Sequence, residues 1–321
     1  MKKRPGIVIL DGNAANPGDL SWEELEELGC LTVYPHVPAT EEELLERSRD
    51  AEIILLNKVP FSADLLKKLP ALKLISVQAT GYDLVDVKAA RALGITVCNA
   101  PAYSTCSVVQ QAFSLLLELV SSTGKYSDSV HRGDWAKAPD FTYSVAPIRE
   151  LAGLTFGIFG FGAIGQKAAC AAKAFGMRVI VCTRTHYPGK EVEYVTKEEL
   201  FRQSDVVSLH CPLTEETRKL VCKETLSLMK KSAYLINTGR GGLVDEEALA
   251  EALNTGKIAG AGLDVLQKEP PETGNVLVSA KNTVITPHVA WASKEARKRL
   301  IHISAENVRC FLEGHPINVV N

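Results

Sequence analysis

The sequence predicts an α/β protein built from two doubly wound parallel sheets, and three observations carry that expectation. Short continuous apolar runs alternate with capped helical stretches from end to end, as in parallel sheets covered on both faces. The rhythm runs twice, once to about residue 100 and again from Leu154. A chain of 321 residues is long for one core and suits two domains of ordinary size.

In the first layer, residues 6–10 read as a strand. Ser21 with Glu24 then opens a helix as a capping box that Gly29 closes, and Thr40 with Glu43 repeats the box. Residues 53–56, 72–77 and 95–98 are strands, with a helix capped by Ser62 and another over 86–93 between them. A long helix over 104–122 follows, its stripe of Val108, Val109, Ala112, Phe113, Leu116, Leu119 and Val120 wide enough for burial on more than one side. Residues 125–150 break the rhythm and read as an irregular arm carrying Trp135, Phe141 and Tyr143. Apolar side chains on such an arm commonly complete an interface, so a homodimer is expected. The second layer has strands at 155–159, 178–182, 206–209, 233–237, 259–263 and 283–286, then a last helix over 293–312.

Composition narrows the function classes. Hydrophobic residues make up 46% and charged residues 23%, which is globular. Lys and Arg total 36 against 38 Asp and Glu, a net charge of -2 that gives no reason to expect nucleic acid or anionic membrane as partner. The basic opening Met1-Lys2-Lys3-Arg4 is followed by an apolar run of only four residues, 7–10, too short for a signal peptide or a membrane span. The eight cysteines form no CxxC pair and read as small core residues of a cytoplasmic protein. No His, Cys and carboxylate spacing suggests a metal.

Gly160-Phe161-Gly162-Ala163-Ile164-Gly165 fits G-x-G-x-x-G, a weak pattern alone. Here a strand precedes it, a helix over 166–175 follows, and the strand 178–182 closes the βαβ unit, which makes it a dinucleotide-binding fingerprint. Gly160 permits the turn, Gly162 lets backbone approach a pyrophosphate, and Gly165 allows close packing of helix on strand. The helix N-terminus offers N–H groups to the phosphates. At the tip of the second strand stands Cys182-Thr183-Arg184-Thr185, with no carboxylate before Glu191. Thr183 and Arg184 suit a 2′-phosphate better than a 2′-hydroxyl, which places NADPH ahead of NADH.

Three further blocks sit at the C-terminal ends of strands, where open α/β sheets bind ligands. They are Asn237-Thr238-Gly239-Arg240-Gly241-Gly242-Leu243-Val244-Asp245, Gly262-Leu263-Asp264-Val265-Leu266-Gln267-Lys268-Glu269-Pro270-Pro271, and Thr286-Pro287-His288-Val289-Ala290-Trp291. An arginine, a glutamate and a histidine supply what 2-keto acid reduction needs: a carboxylate clamp, a proton donor and a partner that keeps the donor charged.

With these blocks in order behind the glycine turn, the whole chain resembles the D-isomer-specific 2-hydroxyacid dehydrogenases. The resemblance implies a Rossmann NAD(P)-binding domain, 103–287, inserted into a flavodoxin-like substrate domain, 1–102 with 288–321, and an active site in the cleft. It implies Arg240 as substrate-binding arginine, Glu269 as the partner of the histidine, and His288 as general acid/base. Asp264 would contact the nicotinamide end, while Ala163, Ile164, Thr238, Gly239 and Ala290 would line the cofactor. Cys211-Pro212-Leu213-Thr214 resembles the loop passing the adenine ribose. Ala79-Thr80-Gly81-Tyr82-Asp83 resembles the loop whose backbone N–H groups hold the substrate carboxylate. Gly239 departs from the family, which more often carries Ala there.

Asp11-Gly12-Asn13, residues 16–22, residues 101–105 and Trp291 resemble the glycerate dehydrogenase and hydroxypyruvate reductase branch. Trp291 would wall a small site fitted to hydroxypyruvate or glyoxylate. D-3-phosphoglycerate and D-lactate dehydrogenases are the neighbouring alternatives. Phosphoglycerate dehydrogenases often append a regulatory domain, and here the chain ends soon after its last helix. A formate dehydrogenase would carry Gln in place of Glu269. From another class, a corepressor-like dinucleotide sensor uses the same fold, and turnover of hydroxypyruvate separates it from an enzyme.

Overall fold

The computed structural model describes residues 4–187, 189 and 192–321, so Met1 to Lys3 and Glu191 lie outside the described residues. The chain divides into two compact units, Met1–Ser104 with Ala292–Asn321, and Thr105–Trp291.

The first unit is built on strands β1 (Gly6–Ile9), β2 (Cys30–Val33), β3 (Ile53–Leu56), β4 (Leu74–Val77) and β5 (Thr96–Cys98). Helices α1 (Glu23–Glu26), α2 (Glu41–Ser48), α3 (Ala63–Lys67) and α4 (Val87–Ala92) connect them. The strands are parallel in the order β2-β1-β3-β4-β5, the flavodoxin-like arrangement. β3 and β4 are buried at every position because apolar clusters cover both faces. Ile54, Leu56 and Ile75 face one cluster, while Ile53, Leu55 and Leu74 face another that includes Ala305 and Val308 of the C-terminal helix, Lys294–Leu312. Asn307 of that helix is fully buried and donates to the Asn99 carbonyl at 2.9 Å, while its Oδ1 accepts from Asn318 at 2.8 Å. Buried amides satisfied on both ends fix the helix against the sheet.

Local details differ from the sequence expectation in three places. β2 was unread. The Ser21 box does not close: the helix begins at Glu23, Ser21 Oγ accepts the Glu23 N–H, and Glu24 reaches His302 Nδ1 at 2.8 Å rather than only facing solvent. At the second box Thr40 accepts the Glu43 N–H, but Glu43 returns to the Ala39 N–H.

The second unit contains α5 (Thr105–Ser121), α6 (Thr123–His131), β6 (Thr155–Phe159), α7 (Ala163–Ala174), β7 (Arg178–Cys182), β8 (Glu193–Tyr194), α8 (Lys197–Gln203), β9 (Val206–Leu209), α9 (Lys223–Leu228), β10 (Tyr234–Asn237), α10 (Glu246–Asn254), β11 (Gly260–Leu263) and β12 (Thr283–Ile285). Its sheet is parallel in the order β12-β11-β10-β9-β6-β7-β8, with the topological switch between β6 and β9. Phe113, Leu116 and Val120 of α5 pack with Phe156, Ile158 and Ala168 on one face, and Phe201, Val207, Leu235 and Leu249 fill the other.

One expectation is corrected here. Residues 123–131 form α6, where the sequence suggested an irregular arm, and a short 3-10 turn spans Trp135–Lys137. The chain passes between the compact units after Ser104 and after Trp291. His288 to Trp291 stay with the second unit because the Ala290 carbonyl accepts from Ser107 Oγ of α5 at 2.6 Å and its N–H donates to Asp264 at 2.8 Å.

No helix among the described residues is long and apolar enough to cross a membrane. All eight cysteines are unpaired.

Candidate active site

The glycine turn sits between β6 and α7, beside the switch point. Gly160 has φ +93°, and a side chain there would meet the His210 carbonyl at 2.6 Å, so only glycine fits. Its N–H donates to the Cys182 carbonyl at 2.9 Å, which ties the turn to the tip of β7. Gly162 differs: a side chain there would meet nothing within 4 Å and would stand in open space above the turn. No internal packing asks for glycine at this position, which fits the approach of a ligand. Gly162 is also the N-cap of α7 and gives it no side-chain cap. Among the described residues no protein acceptor takes the N–H groups of Ala163, Ile164 and Gly165. Twelve aligned peptides thus end on unfilled donors, a site for pyrophosphate. Thr238 Oγ1 is buried without a hydrogen-bond partner, a second orphaned polar atom in the same unit. The residues present fit a dinucleotide.

At the tip of β7, Thr183 is half-buried and its Oγ1 accepts the Thr185 N–H at 3.4 Å. Arg184 is exposed, with Glu216 3.8 Å from its guanidinium. Cys211 is half-buried, and burial pushes its thiol up to about 11. Pro212 is exposed and its carbonyl accepts from Thr217 Oγ1.

Arg240 follows β10. Buried Asn237 shapes this bend, accepting the Gly239 N–H at 3.0 Å and donating to the Arg240 carbonyl at 2.9 Å. The exposed guanidinium donates to the Gly239 carbonyl, and no carboxylate among the described residues pairs with it. Asp245, a duller partner for it, pairs with Lys219 at 2.8 Å. Gly239 would accept alanine, since the nearest atoms lie at 3.5 Å. Gly241 would not: a side chain there would stand 2.0 Å from the Leu266 carbonyl carbon. The Arg240 loop therefore lies directly on the loop that carries Glu269.

Glu269 is fixed at both oxygens. Oε1 accepts the Leu266 N–H at 3.1 Å, and Oε2 meets His288 Nδ1 at 2.5 Å. With Nδ1 engaged, Nε2 is the ring nitrogen left for another partner. The two side chains are 24% and 32% exposed, partly shielded yet open at one edge.

Asp264, expected at the nicotinamide end, builds the turn that presents the histidine. It is 1% exposed, accepts from Thr286 Oγ1 at 2.6 Å and the Val289 N–H at 3.0 Å on Oδ1, and from the Ala290 N–H at 2.8 Å on Oδ2. Burial raises its pKa above the ordinary carboxylate value, and these donors oppose that rise. Ala290 is buried with both backbone groups engaged. Gln111 of α5 braces Thr286 at 3.1 Å. Trp291 is half-buried at the end of the unit.

The Thr80–Gly81 loop belongs to the first unit. Ala79 O accepts the Ala100 N–H, Thr80 O accepts from Asn99, and Thr80 Oγ1 donates to Ala100 O at 3.1 Å. The Ala79 and Thr80 carbonyls are consumed locally, while the N–H groups of Thr80 and Gly81 meet no acceptor among the described residues. The sequence reasoning missed Asn237, Gly241, Thr286, Ser107 and Gln111 as supports. Only the first three stood within the quoted blocks.

The family profile for the NAD binding domain of D-isomer specific 2-hydroxyacid dehydrogenases matches residues 113–290. The chain is also 46% identical over 319 residues to the hydroxypyruvate reductase of Blautia hydrogenotrophica, covering 98% of this chain and 99% of that one. The chain belongs to the D-isomer specific 2-hydroxyacid dehydrogenases. A glycerate dehydrogenase of Methylorubrum extorquens is 48% identical over 88% of this dehydrogenase and 89% of its own length. An NADPH-dependent glyoxylate/hydroxypyruvate reductase from Sinorhizobium meliloti, solved with NADP and malonate, superimposes with a TM-score of 0.85 at 31% identity, covering 99% and 97% of the two chains. The dehydrogenase is an NAD(P)-dependent oxidoreductase of small 2-hydroxy acids.

Because Gly241 lets the Arg240 and Glu269 loops touch, Gly241→Ala is expected to lower kcat/KM by about 100-fold, the cost of a displacement near 1 Å. Circular dichroism should show the fold retained. Wild-type kcat/KM in the variant would show that the contact is not needed.

Proposed function

We propose that this enzyme reduces hydroxypyruvate and glyoxylate to the D-hydroxy acids, with His288, Glu269 and Arg240 as its working side chains. The observation that carries the proposal is the Glu269–His288 contact at 2.5 Å, beside an arginine left unpaired by any carboxylate among the described residues. Bound nicotinamide supplies the hydride that reaches C2. As that carbon is reduced, its oxygen gains negative charge and needs a proton, which His288 Nε2 donates. Glu269 holds the ring through Nδ1 and sets its orientation. Arg240 clamps the substrate carboxylate and opposes charge on the carbonyl oxygen. Trp291 limits the size of the substrate side chain. In the oxidative direction His288 takes the hydroxyl proton instead.

For the coenzyme, Gly160 to Gly165 take the pyrophosphate, Thr183 and Arg184 the 2′-phosphate, Cys211 and Pro212 pass the ribose, and Thr238, Gly239, Asp264 and Ala290 stand at the nicotinamide end. NADPH is the preferred coenzyme on this reading. Eight unpaired cysteines support work in a reducing cytoplasm. A homodimer is supported by apolar side chains left open between 135 and 148, where Trp135 is 53%, Phe141 89% and Ile148 67% exposed.

Steady-state assays should give hydroxypyruvate and glyoxylate a higher kcat/KM than phenylpyruvate, and NADPH a higher value than NADH. Faster turnover of phenylpyruvate would overturn the size argument. Light scattering at micromolar concentration should give twice the chain mass, and a monomer would remove the dimer. Glu269→Gln keeps the shape but removes the charge that holds the ring, so it should lower reductive kcat/KM by about 100-fold. An undiminished kcat/KM would take Glu269 out of this role.

A further inference from the structure

Arg184 has company at the tip of β7. Its Nη1 lies 3.8 Å from Glu216 Oε2, and both side chains stand open to solvent, 79% and 76% exposed. Glu216 is presented by a braced turn. Thr217 Oγ1 donates to the Pro212 carbonyl at 2.7 Å and accepts the Thr214 N–H at 2.7 Å, and the Arg218 N–H donates to Thr214 O at 2.9 Å. The same segment begins at Cys211, whose backbone lies close beneath Gly160. Gly160 in turn donates to Cys182 O at 2.9 Å, two residues before Arg184. Backbone contacts thus tie the glycine turn, the guanidinium and the carboxylate into one cluster.

We propose that Glu216 is a coenzyme-selectivity residue, an internal competitor for the arginine that would take a 2′-phosphate. The proposal rests on the reading of Arg184 given above. An exposed ion pair at this separation is weak, so a phosphate carrying nearly two charges displaces the carboxylate. The displaced carboxylate stays tethered by its turn and repels the phosphate that replaced it. A coenzyme with a free 2′-hydroxyl meets no such repulsion. Glu216 therefore narrows the advantage of NADPH and keeps NADH usable.

The test is calorimetric titration of the dimer or monomer as purified with adenosine 2′,5′-bisphosphate and with ADP, so that no turnover is involved. Glu216→Gln should tighten the bisphosphate by about 3- to 10-fold and leave ADP within about twofold. Arg184→Gln should weaken the bisphosphate selectively, and the double variant should bind it more tightly than Arg184→Gln alone, because the carboxylate no longer repels the phosphate. If Glu216→Gln leaves the bisphosphate unchanged, or tightens both ligands equally, while Arg184→Gln weakens it, Glu216 has no selective role and the arginine reading survives. If Arg184→Gln changes neither ligand, the arginine reading fails and this proposal falls with it.

Discussion

His288 sits at φ +54°, in the left-handed region that side chains with a Cβ rarely occupy, and the carboxylate of Asp264 is what keeps it there. One buried group accepts from a hydroxyl and two backbone N–H groups within five residues, while its own carbonyl accepts the His288 N–H at 2.8 Å. The turn cannot relax without leaving these donors, or the charge itself, unsatisfied in the interior. That penalty is larger than the backbone strain of a single residue.

The remaining machinery hangs on the same frame. β10, β11 and β12 lie side by side and parallel, so their C-terminal ends deliver three loops to one edge. Asn237 bends the first loop, Gly241 seats it on the second, and the Leu266 N–H fixes Glu269 on the second for the histidine of the third. The placement of Arg240, Glu269 and His288 then depends on backbone positions more than on flexible side chains.

The central strands of both layers were legible because continuous apolar runs leave little alternative, and the three loops that follow β10, β11 and β12 stood out because each is short and contiguous in sequence. β2 was passed over: it is an edge strand of four residues with no fully buried position, and its register against β1 is a property of the partner. α6, with Thr-Gly-Lys-Tyr-Ser-Asp-Ser at its start, opens on mostly weak helix formers. The tasks of Asp264 and Gly241 were also hidden, since both act across 22 to 26 residues of intervening chain. A sequence displays a carboxylate or a glycine but not the atoms it will meet.

The distribution of thiols has a practical consequence for anyone who wishes to label or store this enzyme. Burial holds Cys98 up near 12 and Cys211 near 11, so neither supplies much thiolate, the form that alkylating agents and oxidants attack. Cys30, Cys106 and Cys170 are the exposed ones. Maleimide dyes and air oxidation should therefore find the periphery first, and a fluorescent reporter can be attached there while the thiol beside the glycine turn stays untouched.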